Sequence, residues 1–412
     1  MGKQVGKKFS IRKKLKQYFI RNNSEFYLAE VVALITFSIV FGIIVGCILT
    51  YNNRYDKSIE SANKTDELIS TYNLILNNYY DNITEDELIN SAIEGMVSSL
   101  DDPYSSFFDK DDTIEFNQLV DGSYVGIGVT VSNRDNHNYI VDIAEGSSAD
   151  KVGLKVGDIF YQIGDEVVDG YDLDRLSNLI KGNLGDKLDV SILRNEEKIH
   201  FTLSYSKVDI KVVEEQILEH NDLNIGYISI SSFSANSYEQ FKKAFKSLEN
   251  EGIKSLIIDV RNNPGGHLLQ VQKILSLFFD KDTILYQIES REGVNKIYSS
   301  GTKDKKYNIV VLIDYNSASA AEILASCFKD NYKNSFIVGT KSYGKGTVQS
   351  ELKLSTGSSL KYTVHKWLTS KGKWIDGVGV EPDISISQSD EISIQGKDLQ
   401  LQEAINILEK ES

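Results

Sequence analysis

Ser319 and Lys345 have the residue types and settings of a nucleophile and its base. Ser319 lies in Asn316-Ser317-Ala318-Ser319-Ala320-Ala321-Glu322, and Lys345 in Ser342-Tyr343-Gly344-Lys345-Gly346-Thr347-Val348-Gln349. A serine hydroxyl attacks well only when a neighbouring group takes its proton. A lysine amine can take it if burial lowers its pKa from roughly 10.4 towards about 7–8. The apolar run 309–313 reads as a buried strand and 320–325 as the start of a helix. Ser319 would then sit at a strand-to-helix turn, where free N–H groups can hold an oxyanion. Two glycines flank Lys345 and leave room for another chain. If 345–349 is extended, Lys345, Thr347 and Gln349 share one face, and Gln349 can orient the amine. The plainer readings are a helix N-cap for Ser319 and a solvated loop residue for Lys345.

Other segments must position this pair. Residues 255–266 read as a buried strand running into the tight turn Asn262-Asn263-Pro264-Gly265-Gly266. Further motifs are Asp101-Asp102-Pro103-Tyr104-Ser105-Ser106-Phe107 near the start and Gly377-Val378-Gly379-Val380-Glu381-Pro382-Asp383 near the end. The chain has three prolines, and each falls in one of these motifs. With the serine and lysine segments, these motifs make the chain resemble the carboxyl-terminal processing, or tail-specific, serine proteases over about residues 65 to 385. The resemblance implies Ser319 as nucleophile, Lys345 as base and Gln349 as its helper. It also implies an oxyanion hole from the Gly265-Gly266 turn, completed by the N–H at Ser319 or Ala320. One departure is Ala321, where many relatives carry another serine at a position that is not catalytic.

Histidine is the rival base. The five are His137, His200, His220, His267 and His365, and none has a serine-hydrolase triad setting. His267 follows the glycine turn directly and is a candidate to line the site. No His/Cys/Asp cluster has metal-ligand spacing, so neither a metal nor a cofactor is expected. Cys47 and Cys327 are the only cysteines, and no disulfide is expected between them.

The first 26 residues carry eight Lys or Arg against one acid, whereas the whole chain is at −14. Residues 31–49 contain no charge and are long enough to cross a hydrocarbon core. The basic flank then places the N-terminus in the cytoplasm and the rest outside. That makes a single-pass protein of the bacterial cell membrane with an extracytoplasmic catalytic part. A cleaved signal peptide, or a lipoprotein box at Ile44-Val45-Gly46-Cys47, is the alternative. The acidic exterior argues against nucleic acid as a partner.

Residues 68–100 have helical patterning. Within 112–207, Tyr124-Val125-Gly126-Ile127-Gly128-Val129 resembles the PDZ loop and strand that receive a peptide carboxylate. Gly126, Ile127 and Gly128 are the expected contacts. Leu173, Leu176, Leu179 and Ile180 fit one face of the flanking helix. At Lys181-Gly182 many relatives carry an arginine that in some couples the PDZ domain to activity; lysine keeps the charge but not the planar fork. Strand-like and helical runs alternate through the later part, arguing an α/β core.

The expected fold is therefore α/β and multidomain. It comprises a basic cytoplasmic head (1–26), a transmembrane helix (27–50), a stalk and helical pre-domain (51–111) and a PDZ domain (112–207). A serine protease core follows (208–385), of the crotonase-like or ClpP-like type that the resemblance implies, and then a C-terminal helical segment (386–412). The expected function is a membrane-anchored serine endopeptidase that cuts near the C-terminus of protein or peptide substrates. The resemblance also implies assembly as a homo-oligomer through the helical terminal regions. The competing readings are a partner-activated signalling protease of the same chemistry and a non-catalytic PDZ adaptor.

Overall fold

The computed structural model describes residues 23–221, 223–301, 307–387 and 398–411, with backbone alone for 23–32, 34 and 51–62. The chain divides into two compact units, Met1–Ala92 and Ile93–Ser412. In the first unit one continuous helix, α1, spans Asn23–Asn78. The expected transmembrane helix over 27–50 is corrected here. Among the described residues no helix is long and apolar enough to cross a membrane. The basic head lies, as far as residue 22, outside the described residues. The next helix, α2 (Glu85–Ser98), starts with a capping box: Thr84 N–H donates to Glu87 and Glu87 N–H to Thr84 Oγ1.

The second unit, which begins within α2, continues with β1 (Ser106–Phe108) and α3 (Lys110–Asp121), capped by Asp109 and ended by left-handed Gly122. A small β domain follows. It contains β2 (Ser123–Gly126), β3 (Val129–Arg134), β4 (His137–Ile143), α4 (Ser148–Val152), β5 (Ile159–Ile163) and β6 (Glu166–Val167). It continues with α5 (Leu173–Ile180), β7 (Lys187–Arg194), β8 (Glu197–Ser204) and β9 (Ser206–Asp209). Its main sheet runs β3-β4-β5-β7-β8 around Ile140, Phe160, Leu176 and Ile192. Entry strand β2 and exit strand β9 pair antiparallel as a separate ribbon.

The α/β core is built on the sheet β10-β11-β12-β15-β16-β19: Val213–His220, Leu223–Ile230, Ser255–Asp259, Asn308–Ile313, Ser335–Gly339 and Ile384–Ser385. From β11 onward the pairing is parallel, and the strands read as continuous apolar runs because both faces are covered. Period two divides them. Leu256, Ile258, Ile309 and Val311 face α6 (Ser237–Asn250), α7 (Leu268–Leu275) and α8 (Ala320–Asn331). Ile257, Val310, Leu312 and Val338 face α9 (Leu399–Lys410).

A second, antiparallel sheet contains β1, β13 (Ile284–Ser290), β14 (Gly293–Tyr298), β17 (Thr347–Lys353) and β18 (Ser359–Thr369). Strand β1, within the stretch expected as helical pre-domain, pairs with β18 across some 250 residues of sequence. Helix α8 is buried from Ala320 through Phe328, the polar Glu322 and Ser326 included.

Candidate active site

The turn after β15 is fixed before it reaches the nucleophile. The Asp314 carboxylate accepts from the N–H groups of Asn262, Asn316 and Ser317. Ser317 Oγ donates to Val260 O at 2.8 Å, and Ala318 N–H donates to Asn263 O at 2.9 Å. These bonds zip the turn after β15 to the turn after β12. Ser319 follows at φ 54° and ψ −112°. Ser319 is the N-cap of α8, in a capping box with Glu322, but its dihedrals are not the β-region values of a conventional N-cap. A positive φ at a non-glycine residue is strain held by its surroundings. Part of that hold is Gly265, at φ 104°, where an added Cβ would stand 2.8 Å from Ser319 Cβ. At Gly266 an added Cβ would collide with the Phe233 carbonyl.

The expected oxyanion donors separate on inspection. Gly265 N–H donates to Asn263 Oδ1 at 2.8 Å. The N–H groups of Gly266 and Ala320 donate to no acceptor among the described residues. His267 turns its N–H to Phe233 O, and its Nε2 is buried without a partner among the described residues.

Lys345 lies on the segment between β16 and β17. Its neighbours Gly344 and Gly346 are glycines because other backbone and a ring come close. An added Cβ at Gly344 would stand 2.9 Å from Gly379 N, and one at Gly346 2.5 Å from Trp374 Nε1. Trp367 Nε1 donates to Lys345 O at 2.6 Å and Trp374 Nε1 to Gly346 O at 3.1 Å. Asp376 accepts from Gly346 N–H at 2.8 Å. Burial pulls the Lys345 amine below the ordinary lysine value, and the charge of Lys361 adds to this; Asp102 and Glu322 oppose it. The ammonium nitrogen stands 4.8 Å from the centre of the Tyr104 ring, within cation–π range.

One carboxylate joins the two halves. Glu322, fully buried, accepts on Oε2 from Ser319 N–H at 2.8 Å and Lys345 N–H at 2.9 Å. Its Oε1 accepts from Gly344 N–H at 2.7 Å and Ser342 Oγ at 2.6 Å. Ser342 Oγ itself accepts from Val380 N–H, so its proton points at Glu322. Burial raises the Glu322 pKa and the four hydrogen bonds lower it, leaving it above the usual carboxylate range. Every partner donates, which is the arrangement an ionised carboxylate requires.

Comparison with known proteins gives the same direction. Residues 224–386 match the model of peptidase family S41, 48–112 that of the activating protease CtpB N-terminal domain, and 139–194 that of the PDZ domain. The carboxy-terminal processing protease CtpB of Bacillus subtilis (strain 168) is 38% identical over 350 residues, covering 83% of this chain and 71% of that protein. The chain belongs to the carboxy-terminal processing serine protease family. A second relative, carboxy-terminal processing protease CtpA of the same strain, is 34% identical over 330 residues, covering 79% of this chain and 70% of that protein. The solved photosystem II D1 C-terminal processing protease matches with a TM-score of 0.46 at 25% identity, over 78% of this chain and 86% of that one.

The remaining site residues of this serine protease fall as follows. Gln349, on β17, donates through Nε2 to Thr347 Oγ1 at 2.9 Å and Thr363 Oγ1 at 3.0 Å. Its amide is thereby turned so that the oxygen is the free end. Among the described residues no hydrogen bond joins Ser319 Oγ, Lys345 Nζ and Gln349 to one another. The Gly126-Ile127-Gly128 loop ends β2. Ile127 O accepts from Ala149 N–H and Gly128 O from Ala144 N–H, both at 3.0 Å. With those carbonyls turned inward, the N–H groups of Ile127 and Gly128 have no acceptor among the described residues.

Sequence reasoning gave no role to Glu322, Asp102, Tyr104 or the two tryptophans. Burial raises the Asp102 pKa, but hydrogen bonds from Ser105, Thr363 and Tyr104 outweigh it and hold the carboxyl low. The Tyr104 phenol is pushed up to about 12 by burial and by its bond to Tyr343. The available signal was an acid three residues after the nucleophile, where only small and apolar neighbours surround it.

Proposed function

We propose that Ser319 is the nucleophile and Lys345 the general base of an endopeptidase that cuts near the C-terminus of protein and peptide substrates. The observation carrying this reading is the single buried carboxylate oxygen shared by the main chains of Ser319 and Lys345. Neutral Lys345 takes the Ser319 proton, and Oγ attacks the scissile carbonyl. The developing oxyanion is met by the N–H groups of Gly266 and Ala320, since Gly265 N–H is already engaged. The ammonium so formed lies against the Tyr104 ring, with Asp102 and Glu322 as nearby negative charges. It then protonates the leaving amine, and water hydrolyses the acyl-enzyme. Gln349 steadies the lysine through its amide oxygen.

The PDZ loop selects the substrate in this reading. The unpaired N–H groups of Ile127 and Gly128 form a nest for a terminal carboxylate. The test compares purified wild type with Ser319→Ala on tail peptides, reading product masses. Wild-type cleavage that survives in Ser319→Ala removes the nucleophile assignment.

A partner-activated form of the same chemistry is favoured by one observation: Lys345 Nζ stands over Tyr104 rather than hydrogen-bonded to Ser319. We also propose that the catalytic part works outside the cytoplasm, supported by the basic head on an otherwise acidic chain. Protease added to intact protoplasts then digests it, and protection refutes the location.

A further inference from the structure

We propose that Lys361 supplies a fixed positive charge to the catalytic site, held on the faces of Phe108 and Phe116 so that Lys345 works as a neutral amine. This rests on the serine-protease reading of Ser319 and Lys345. Lys361 lies on β18, across from Glu351 on β17 and Ser106 on β1. It is half-buried, yet it forms no ion pair among the described residues. A charge withdrawn from water costs free energy unless something replaces the water. Here two phenyl rings do so. Phe108 and Phe116 stack with centroids 4.8 Å apart, and Lys361 Nζ stands 5.2 Å from one centroid and 5.3 Å from the other. Both distances are within cation–π range, so the ring faces favour the charged form.

One short segment, 104–108, seats both amines: the Tyr104 ring takes Lys345 at 4.8 Å and the Phe108 ring takes Lys361. Asp102 fixes this segment on β18. Its carboxylate accepts from Tyr104 N–H and Ser105 Oγ, and Ser105 Oγ accepts from Thr363 N–H, two residues from Lys361. The charges around the pair are few. Asp102 acts on both amines and Glu322 on Lys345 alone. Glu351 is bonded by Asn117 at 3.4 Å. Neither it nor the α3 acids Asp111, Asp112 and Glu115 is among the charges that bear on either amine. The Tyr104 phenol, bonded to Tyr343, stays neutral. After burial, the Lys361 charge is what most lowers the proton affinity of Lys345. Burial lowers that of Lys361 as well, and Asp102 opposes it. Of two coupled ammonium groups one must give up its proton first. The paired rings and Asp102 keep the proton on Lys361, so Lys345 sheds its own. The same repulsion serves the later step. Once Lys345 has taken the Ser319 Oγ proton, it passes that proton more readily to the leaving amine nitrogen. Lys361 exchanges no proton and acts only through Lys345, as a positioning residue.

The test compares Lys361→Met, which keeps the stem and removes the charge, with Lys361→Arg, which keeps the charge. Without that charge Lys345 holds its proton more tightly, so the acid limb of kcat/KM moves to higher pH. A move of roughly half a unit to one unit lowers kcat/KM on that limb about three- to tenfold. Lys361→Arg should leave the limb near its wild-type position. Lys361→Gln repeats the test if circular dichroism shows the methionine variant unfolded. A second readout needs no turnover: trace acetylation by acetic anhydride across pH, on Ser319→Ala with and without each Lys361 variant. The mass of the Lys345 peptide then reports the titration of that amine alone, and its midpoint should rise in Lys361→Met and not in Lys361→Arg. An unmoved Lys345 midpoint in folded Lys361→Met, or an equal rise in Lys361→Arg, overturns the proposal. A midpoint that rises as expected while the kcat/KM limb stays in place would refute Lys345 as the base and leave the charge coupling standing.

Discussion

Glu322→Gln is the sharpest probe of the site. Four donors converge on the two Glu322 oxygens, two on each. An amide supplies one oxygen and one NH2, so two bonds are lost and two donors come to face donors. Each buried donor left unsatisfied costs about 1–3 kcal/mol, giving roughly 2–6 kcal/mol in all. If about 3 kcal/mol of this falls on the alignment of Ser319 with Lys345, kcat drops roughly a hundredfold. KM should move much less, because Glu322 lies beneath the site. The charge itself leaves a second signature. Glu322 favours the ammonium form of Lys345, so removing it lowers the lysine pKa further. The acid limb of kcat/KM should then shift to lower pH, a readout that packing damage alone would not move. The assay is peptide turnover across about pH 6 to 9, with thermal melts to verify folding. Near wild-type kcat with an unmoved acid limb would mean that Glu322 is already neutral, because glutamine then replaces it well, and the reasoning fails.

Wild-type activity should rise with pH as Lys345 loses its proton, and the rise should come below the roughly 10.4 of free lysine, since burial lowers this pKa. Lys345→Arg keeps the charge but cannot act as base; it should fold and be inactive, and near wild-type turnover from it would assign the base elsewhere. Gly265→Ala places a Cβ 2.8 Å from Ser319 Cβ at a φ of 104°, so it should cost about 1–3 kcal/mol of stability and most of the activity, read by melting temperature and turnover. Amidating the tail of a substrate peptide should lower kcat/KM roughly tenfold by removing the charge that the Ile127 and Gly128 N–H groups would bind, and equal rates would remove the carboxylate nest.

The residues that carry chemistry were legible because each sits in a short run with few other uses for its members. Their placement was legible only where it was local. The strand-to-helix turn at Ser319 came from an apolar run meeting small residues. The joint role of Glu322 did not, since Ser342, Gly344 and Lys345 lie some twenty residues away and arrive through the sheet. Gly265 looked equivalent to Gly266 in sequence, and only the Asn263 side chain, folded back on its own turn, distinguishes them. Helical periodicity could not reveal that Ser106–Phe108 completes a sheet with Ser359–Thr369. Hydropathy counted an uncharged run without its neighbours; in the fold that run is one part of the continuous helix Asn23–Asn78, and among the described residues no helix is long and apolar enough to cross a membrane.

The protease has two tryptophans in its whole sequence, and their indole nitrogens donate to the peptide carbonyls of the base and of the residue after it. Trp367 is sealed from water, whereas Trp374 is 45% exposed. The intrinsic ultraviolet emission of the molecule is therefore a gauge of this one loop, with a blue component from the sealed ring and a redder one from the wet ring. A rearrangement that carries Lys345 from Tyr104 towards Ser319 would be recorded in that spectrum, in real time and without a dye.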